Sequence, residues 1–257
     1  DLGDKGVEVV GGMVVAGLLP VMASLTSINL IDNNLTNYGR NMTGIREIAS
    51  AIRKSPSLTS IDLSLNYLGS EGAKALAPAV RDSASLTSIN LPFNNLGSEG
   101  AKALAPALRD SPSVTSINLR ANGLGPEGAK ALAPGIRPSV TSLNLAYNDF
   151  GPEGAEALAP ALGNSTSITS IDLSINLFGP EGAKALASAI AVNASLTSIN
   201  LQYNRFGPEG AKTLAPAIRD SPSLTSIDLV GNFMGVEGEA LLREAVEGRP
   251  GIELQLW

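Results

Sequence analysis

The chain is 257 residues long, 44% hydrophobic and only 4% aromatic, enough apolar material for one or two cores built from small and aliphatic side chains. It holds no Cys and no His, which excludes disulfides, thiolate chemistry, the commonest zinc ligands and imidazole acid–base work. A net charge of −6 lacks the basic footprint of a nucleic-acid binder, and the absence of Cys points to a reducing, cytoplasmic setting.

In chain order, Asp1 stands where a Met would open a complete product, as expected of a fragment or a processed form. Val9 to Ile31 carries no charge and is long enough to cross a bilayer, but Gly11, Gly12, Gly17 and Pro20 interrupt it. Its second half fits a strand, so a buried helix plus strand is expected and no membrane segment. A hexapeptide of the form Leu-Thr-Ser-Ile-Asp/Asn-Leu begins at Leu25 and returns at Leu58, Leu86, Val114, Val140, Ile168, Leu196 and Leu224. The intervals are 33, 28, 28, 26, 28, 28 and 28 residues. Two variable residues and an Asn follow each copy: Asn33, Asn66, Asn94, Asn122, Asn148, Asn176, Asn204 and Asn232.

Within one unit the periods change as a strand-to-helix connection requires. In Leu58–Leu63, Ile61 and Leu63 point inward while Ser60, Asp62 and Ser64 take the other face. Asn66 ends the strand, Gly69 and Gly72 are expected to permit a tight turn, and Ala73, Leu76 and Val80 recur at helical spacing. Strands are thus expected near 25–30, 58–63, 86–91, 114–119, 140–145, 168–173, 196–201 and 224–229, all in one domain spanning 1–257. Residues 1–24 read as a partial first repeat, with Leu2–Gly6 aligned on the later Leu-Gly-Pro-Glu-Gly. The first two helices are expected to be about five residues longer than the rest. Residues 236–257 form a C-terminal cap, with a helix over Glu239–Glu247 and a degenerate strand over Ile252–Leu256.

The full pattern, L-x-x-L-x-L-x-x-N-x-L-G-x-x-G-x-x-x-L, occupies nearly the whole chain and resembles the leucine-rich repeat of the ribonuclease-inhibitor class. That resemblance implies an α/β fold, a curved right-handed solenoid or horseshoe with a parallel sheet on the concave face and helices on the convex face. It also implies a ladder of Asn side chains from coil to coil. The residues alone point the same way. One strand and one short helix cannot close a core, so units must stack, and strands about 4.8 Å apart against helices about 10 Å apart force curvature.

Several side-chain columns look functional and have plainer readings. Glu71, Glu99, Glu127, Glu153, Glu181, Glu209 and Glu237 sit in first helical turns, where the macrodipole favours them, with Lys three residues on in most copies. Pro78, Pro106, Pro134, Pro160 and Pro216 read as shape-setting kinks. The repeated Thr-Ser pairs suit a sheet and hydroxyl bonding between strands, and a curved array argues against an ice-binding surface. Asp62, Asp172 and Asp228 lie repeats apart, too far for a carboxylate pair, and no nucleophile–base set, phosphate loop or metal cluster occurs. No enzyme activity, cofactor or metal is therefore expected, and a GTPase-activating role would rest on fold analogy alone.

The residues flanking the ladder Asn vary while their surroundings repeat. Leu65, Tyr67, Phe93, Arg120, Tyr147, Ile175, Tyr203, Arg205 and Phe233 stand there, rich in types that concentrate in interface centres. They are the expected partner-binding residues of a non-catalytic, monomeric protein-interaction module that uses its concave face and strand-end rim. A plainer reading has the residue before each Asn packing under the turn. The alternative function is a structural scaffold or assembly subunit that works through its convex helices or caps.

Overall fold

A computed structural model describes residues 1–136, 139–249 and 251–256, in two compact units divided between Leu124 and Gly125. Residues 250 and 257 of the expected cap lie outside the described residues. In the first unit, β1 (Ser27–Asn29), β2 (Ser60–Asp62), β3 (Ser88–Asn90) and β4 (Ser116–Asn118) pair in that order, all parallel. Helices α1 (Glu8–Leu18), α2 (Thr43–Lys54), α3 (Gly69–Asp82) and α4 (Gly97–Asp110) each pack on the next.

The second unit repeats the plan. Its strands β5 (Ser142–Asn144), β6 (Ser170–Asp172), β7 (Ser198–Asn200), β8 (Ser226–Asp228) and β9 (Glu253–Gln255) are again parallel and in sequential order. Helices α5 (Gly125–Leu132), α6 (Gly151–Gly163), α7 (Gly179–Val192), α8 (Gly207–Asp220) and α9 (Gly235–Glu247) connect them. Within each unit, strand and helix alternate in the α/β arrangement expected of stacked repeats.

Register follows the repeated hexapeptide and not the interval: Ser60 faces Ser88 and Ser170 faces Ser198 across 28 residues, and Ser27 faces Ser60 across 33. The regular strands are only three residues long, shorter than expected, yet backbone bonds continue on both sides, Thr87 N–H to Thr59 O and Leu63 N–H to Asn90 O. Thr hydroxyls reinforce the pairing by donating to the previous strand, as from Thr59 to Thr26 O (3.0 Å) and Thr197 to Thr169 O (2.9 Å). The core lies between strand and helix layers, where Ile61, Leu63, Leu76 and Val80 are essentially inaccessible. Helix entry uses two glycines differently. Gly69 turns the chain at φ +57°, whereas a Cβ on Gly72 would lie 2.6 Å from Cβ of Leu68, so that glycine is kept for space.

Four details depart from the sequence reading. The first helices are not long: α1 has 11 residues and α2 has 12, against 14 in α3. The extra residues of the first interval instead form a loop around Thr36, whose hydroxyl donates to Asn66 O and Tyr67 O. Second, Leu2 occupies the place of Leu63 and not that of Leu68. Leu2, Asp4 and Glu8 donate to Asn29, Ile31 and Asn33 as Leu63, Leu65 and Gly69 donate to Asn90, Pro92 and Asn94. Positive φ at Asp4, Gly6 and Glu8 matches that at Leu65, Tyr67 and Gly69. Lys5 therefore stands in the ladder-Asn position, which hid the alignment. Third, Ser64 is buried and bonded to Asp62, because the chain leaves the strand at Asp62. Fourth, α3, α4, α6 and α8 run through their prolines as continuous helices, while α5 stops at Leu132 and passes into a 3-10 turn at Ala133–Gly135.

Candidate functional site: the strand-end rim

Strands β1, β2 and β4 to β8 each end at an Asp or Asn whose Oδ1 accepts the N–H two residues later, while Pro92 after β3 has no N–H to give. Ser64 donates to Asp62 (2.9 Å), Arg120 to Asn118 (3.1 Å) and Gln202 to Asn200 (3.0 Å). This short-range turn is what the Asp/Asn column is for. It was not read from the sequence, where those carboxylates looked like isolated acids.

The chain then enters the left-handed region, at Leu65 (φ 59°), Phe93 (56°), Tyr147 (58°), Ile175 (56°) and Tyr203 (52°). The ladder Asn follows, and the next residue is left-handed again, at Tyr67 (55°), Leu177 (58°), Arg205 (59°) and Phe233 (56°). The Asn between them points into the core. Asn94 is fully buried and donates through Nδ2 to Leu63 O, Leu91 O and Pro92 O at 2.9, 3.0 and 3.1 Å. Its Oδ1 accepts from Asn66 N–H (2.9 Å) and Leu68 N–H (3.3 Å) of the preceding repeat. One inward Asn flanked by two left-handed residues turns both flanking side chains outward.

The exposure follows from that geometry. Phe93, Tyr147 and Tyr203 are about half exposed, at 47%, 53% and 51%, and Phe233 is 76% exposed, so packing beneath the turn does not account for the aromatics. Ile175 and Arg120 are half-buried, and Arg205 is exposed. A left-handed backbone costs a side-chain-bearing residue roughly 1 kcal/mol or more relative to Gly, and a β-branched residue such as Ile175 suits it least. Other repeats use cheaper residues at these positions: Asn34, Asn95, Gly123, Asp149 and Gly231. Phe233→Asn should therefore raise the unfolding free energy by about 0.5–1 kcal/mol, read by urea titration, since little apolar burial is lost.

Within the first unit the rim carries Leu65, Tyr67, Phe93 and Arg120. Tyr38 joins them from the inserted loop, its ring 5.1 Å from that of Tyr67 and tilted by 56°. Within the second unit Ile175, Leu177, Tyr203, Arg205, Gly231 and Phe233 line one open depression of about 410 Å³. The ring of Tyr203 fills the space a Cβ on Gly231 would need. Tyr38 and Leu177 were not among the expected site residues: the first lies outside the repeat pattern, and the second stands at the variable position after the ladder Asn.

Helices α3, α4, α5 and α8 pair their exposed charges along the helix. Lys74 bonds Glu71, and Lys212 bonds Glu209, both at 2.6 Å and on exposed surface. The ammonium beside each holds Glu71 and Glu99 below the usual carboxylate range, and Arg81 and Arg219 do the same for Asp82 and Asp220. Depressed acids contribute stability above their ordinary range and lose it as pH falls through the lowered values. With no His or Cys in the chain, the unfolding free energy should be flat from about pH 5.5 to 7.5 and decline only in acid, modestly because the pairs are exposed. Chemical denaturation at stepped pH checks this. Among the described residues no three His, Cys, Asp or Glu side chains are grouped to hold a metal ion.

The family described as Leucine Rich repeat matches residues 54–77, 82–105, 110–133, 138–159, 164–187 and 192–215, more than half of the chain. No curated protein matches the sequence. Among solved structures, the chain is similar to the leucine-rich repeat-containing protein LegL7 from Legionella pneumophila, with 25% identity and a TM-score of 0.60. That match covers 94% of this chain and 78% of LegL7. A more distant likeness, at 19% identity and TM-score 0.48, joins 56% of this chain to 88% of a leiomodin-1 actin-binding site 2 structure. Six matched repeats, the parallel strands and the buried Asn ladder agree: the chain belongs to the leucine-rich repeat family.

Proposed function

We propose that this chain is a non-catalytic protein-interaction module of ribonuclease-inhibitor-like type that holds a protein partner along its strand-end rim. Leucine-rich repeat folds commonly serve in protein interaction. The observation that carries the rim assignment is the set of large apolar side chains kept in left-handed positions where Gly or Asn would cost less. Leu65, Tyr67, Phe93, Tyr147, Ile175, Tyr203 and Phe233 supply apolar contact, and Arg120 and Arg205 supply direction through charge. The partner is a protein and not a nucleic acid or membrane, in keeping with the net charge of −6, and the Cys-free sequence suits a cytoplasmic location.

The test is capture of partners by the immobilised chain beside a Phe93→Asn, Tyr147→Asn, Ile175→Asn and Tyr203→Asn variant. Asn suits the left-handed backbone, so the variant should melt within a few degrees of the natural chain while losing the partner at least about tenfold. Equal capture by both chains would remove the rim from the account and favour the scaffold reading.

A further inference from the structure

Helix α1 differs from every other helix on its solvent side. The shared hydrogen bonds that place Leu2 on Leu63 also place Val10 on Glu71 and Met13 on Lys74. Where α3, α4, α5 and α8 carry an exposed ion pair, α1 carries two apolar side chains, 71% and 43% exposed. The same surface continues through Val14 (60%), Leu18 (51%), Val21 (76%) and Met22 (43%), and Gly17 among them has nothing within 4 Å. Only Gly12 and Ala16 of α1 are fully buried, on the side that meets α2. Six side chains of this size expose on the order of 500 Å² together, at the upper end of what a monomer leaves bare and often functional where it occurs.

We propose that this face is a self-association surface, on which α1 of one chain packs against α1 of a second copy about a two-fold axis. This replaces the monomer expected from the sequence. A further repeat helix stacked in sequence does not explain the whole patch. In covered helices the Ala75 and Ala79 positions, matched by Val14 and Leu18, become half-buried and buried, while Glu71 and Lys74 stay exposed. Stacking would therefore leave Val10 and Met13 in water. A copy approaching from the helix side covers all six, and an isologous contact buries no unpaired charge because the face carries none. Two copies bury about 1,000 Å² between them, at the lower limit for a specific interface, so weak association in the micromolar range is expected. The edge at the other end of the chain, α9 with Glu239, Arg243, Glu244 and Glu247, offers no matching apolar surface for head-to-tail packing. A lipid surface is disfavoured because the acids Asp1, Asp4 and Glu8 outnumber Lys5 beside the patch, where interfacial helices carry mainly Lys and Arg.

The experiment is sedimentation equilibrium of the full chain and of a Val10→Glu, Met13→Lys variant, which installs the ion pair that α3, α4, α5 and α8 already carry. The natural chain should be dimeric at tens of micromolar, and the variant should associate at least about tenfold more weakly with an unchanged circular dichroism spectrum. Because the chain lacks Cys, Val14→Cys gives a second readout that needs no charge in the patch. Mild oxidation should link two copies there, while Thr213→Cys on α8 should not link. A natural chain that stays monomeric, a variant that dimerises equally well, or linking that is no faster at residue 14 than at 213 overturns the proposal. So does a monomer that floats with neutral phosphatidylcholine vesicles through this face, which would assign the patch to lipid.

Discussion

Asn94→Ala should destabilise the protein by about 3–5 kcal/mol, far more than any exposed substitution in the array. The side chain is fully buried and makes five hydrogen bonds, three as donor to Leu63 O, Leu91 O and Pro92 O and two as acceptor from Asn66 and Leu68 N–H. Truncation to Ala leaves the buried N–H groups of Asn66 and Leu68 without an acceptor, and it takes one of two hydrogen bonds from each of Leu63 O, Leu91 O and Pro92 O. Each orphaned buried group costs about 1–3 kcal/mol, and some relaxation will recover part of the total. Asn94→Asp tests the donor side alone: Oδ1 still accepts, but a second oxygen faces three carbonyls, so the loss should be comparable. Equilibrium urea denaturation measures both. A change under about 1 kcal/mol for Asn94→Ala would mean that the ladder is dispensable.

Phe178→Ala should cost about 3–5 kcal/mol, while Leu177→Ala, one residue earlier, should cost less than about 1 kcal/mol. Phe178 is fully buried at the entry of α7, whereas Leu177 is 38% exposed on the rim. Cβ of Phe178 lies 2.6 Å from where a Cβ on Gly182 would sit, and the ring fills space between strand and helix that Leu68 and Leu96 fill in earlier repeats. The ring therefore leaves a cavity, and Gly182 cannot grow inward to close it, because its own Cβ would also approach Ala155 to 3.1 Å. The neighbouring pair separates the two kinds of apolar residue in this chain: those the fold consumes and those it presents.

The repeat was legible because it is written almost identically many times. The eight hexapeptides located the regular strands, the invariant Asn located the ladder, and the Glu-x-x-Lys spacing located exposed ion pairs that the structure places at 2.6 Å in α3, α4, α5 and α8, though not at Glu181 and Lys184. Hydroxyl bonding between Thr residues of adjacent strands followed from their columns. What failed to show was whatever depends on backbone dihedrals or on breaks in the pattern. Nothing in the letters Leu, Tyr or Ile announces a left-handed residue, so the outward direction of the rim was inferred from variability without its cause. The Ser column that includes Ser85, which donates to Leu58 O at 2.9 Å, went unread because it lies outside the hexapeptide. The opening repeat was misaligned because Lys5 replaces the Asn that marks register elsewhere. Tyr38 escaped notice because it belongs to an insertion with no counterpart in the other repeats.

The central claim concerns the face on which a partner is held, and photo-crosslinking from single cysteines tests it most directly in this Cys-free chain. Benzophenone would be attached at Asn95 and Asp149 on the rim, and at Lys74 and Lys102 on the exposed helical side. The account predicts adducts with a captured partner from positions 95 and 149 and none from 74 or 102. Adducts confined to the helix positions would contradict it and place the contact on the face the rim proposal leaves free.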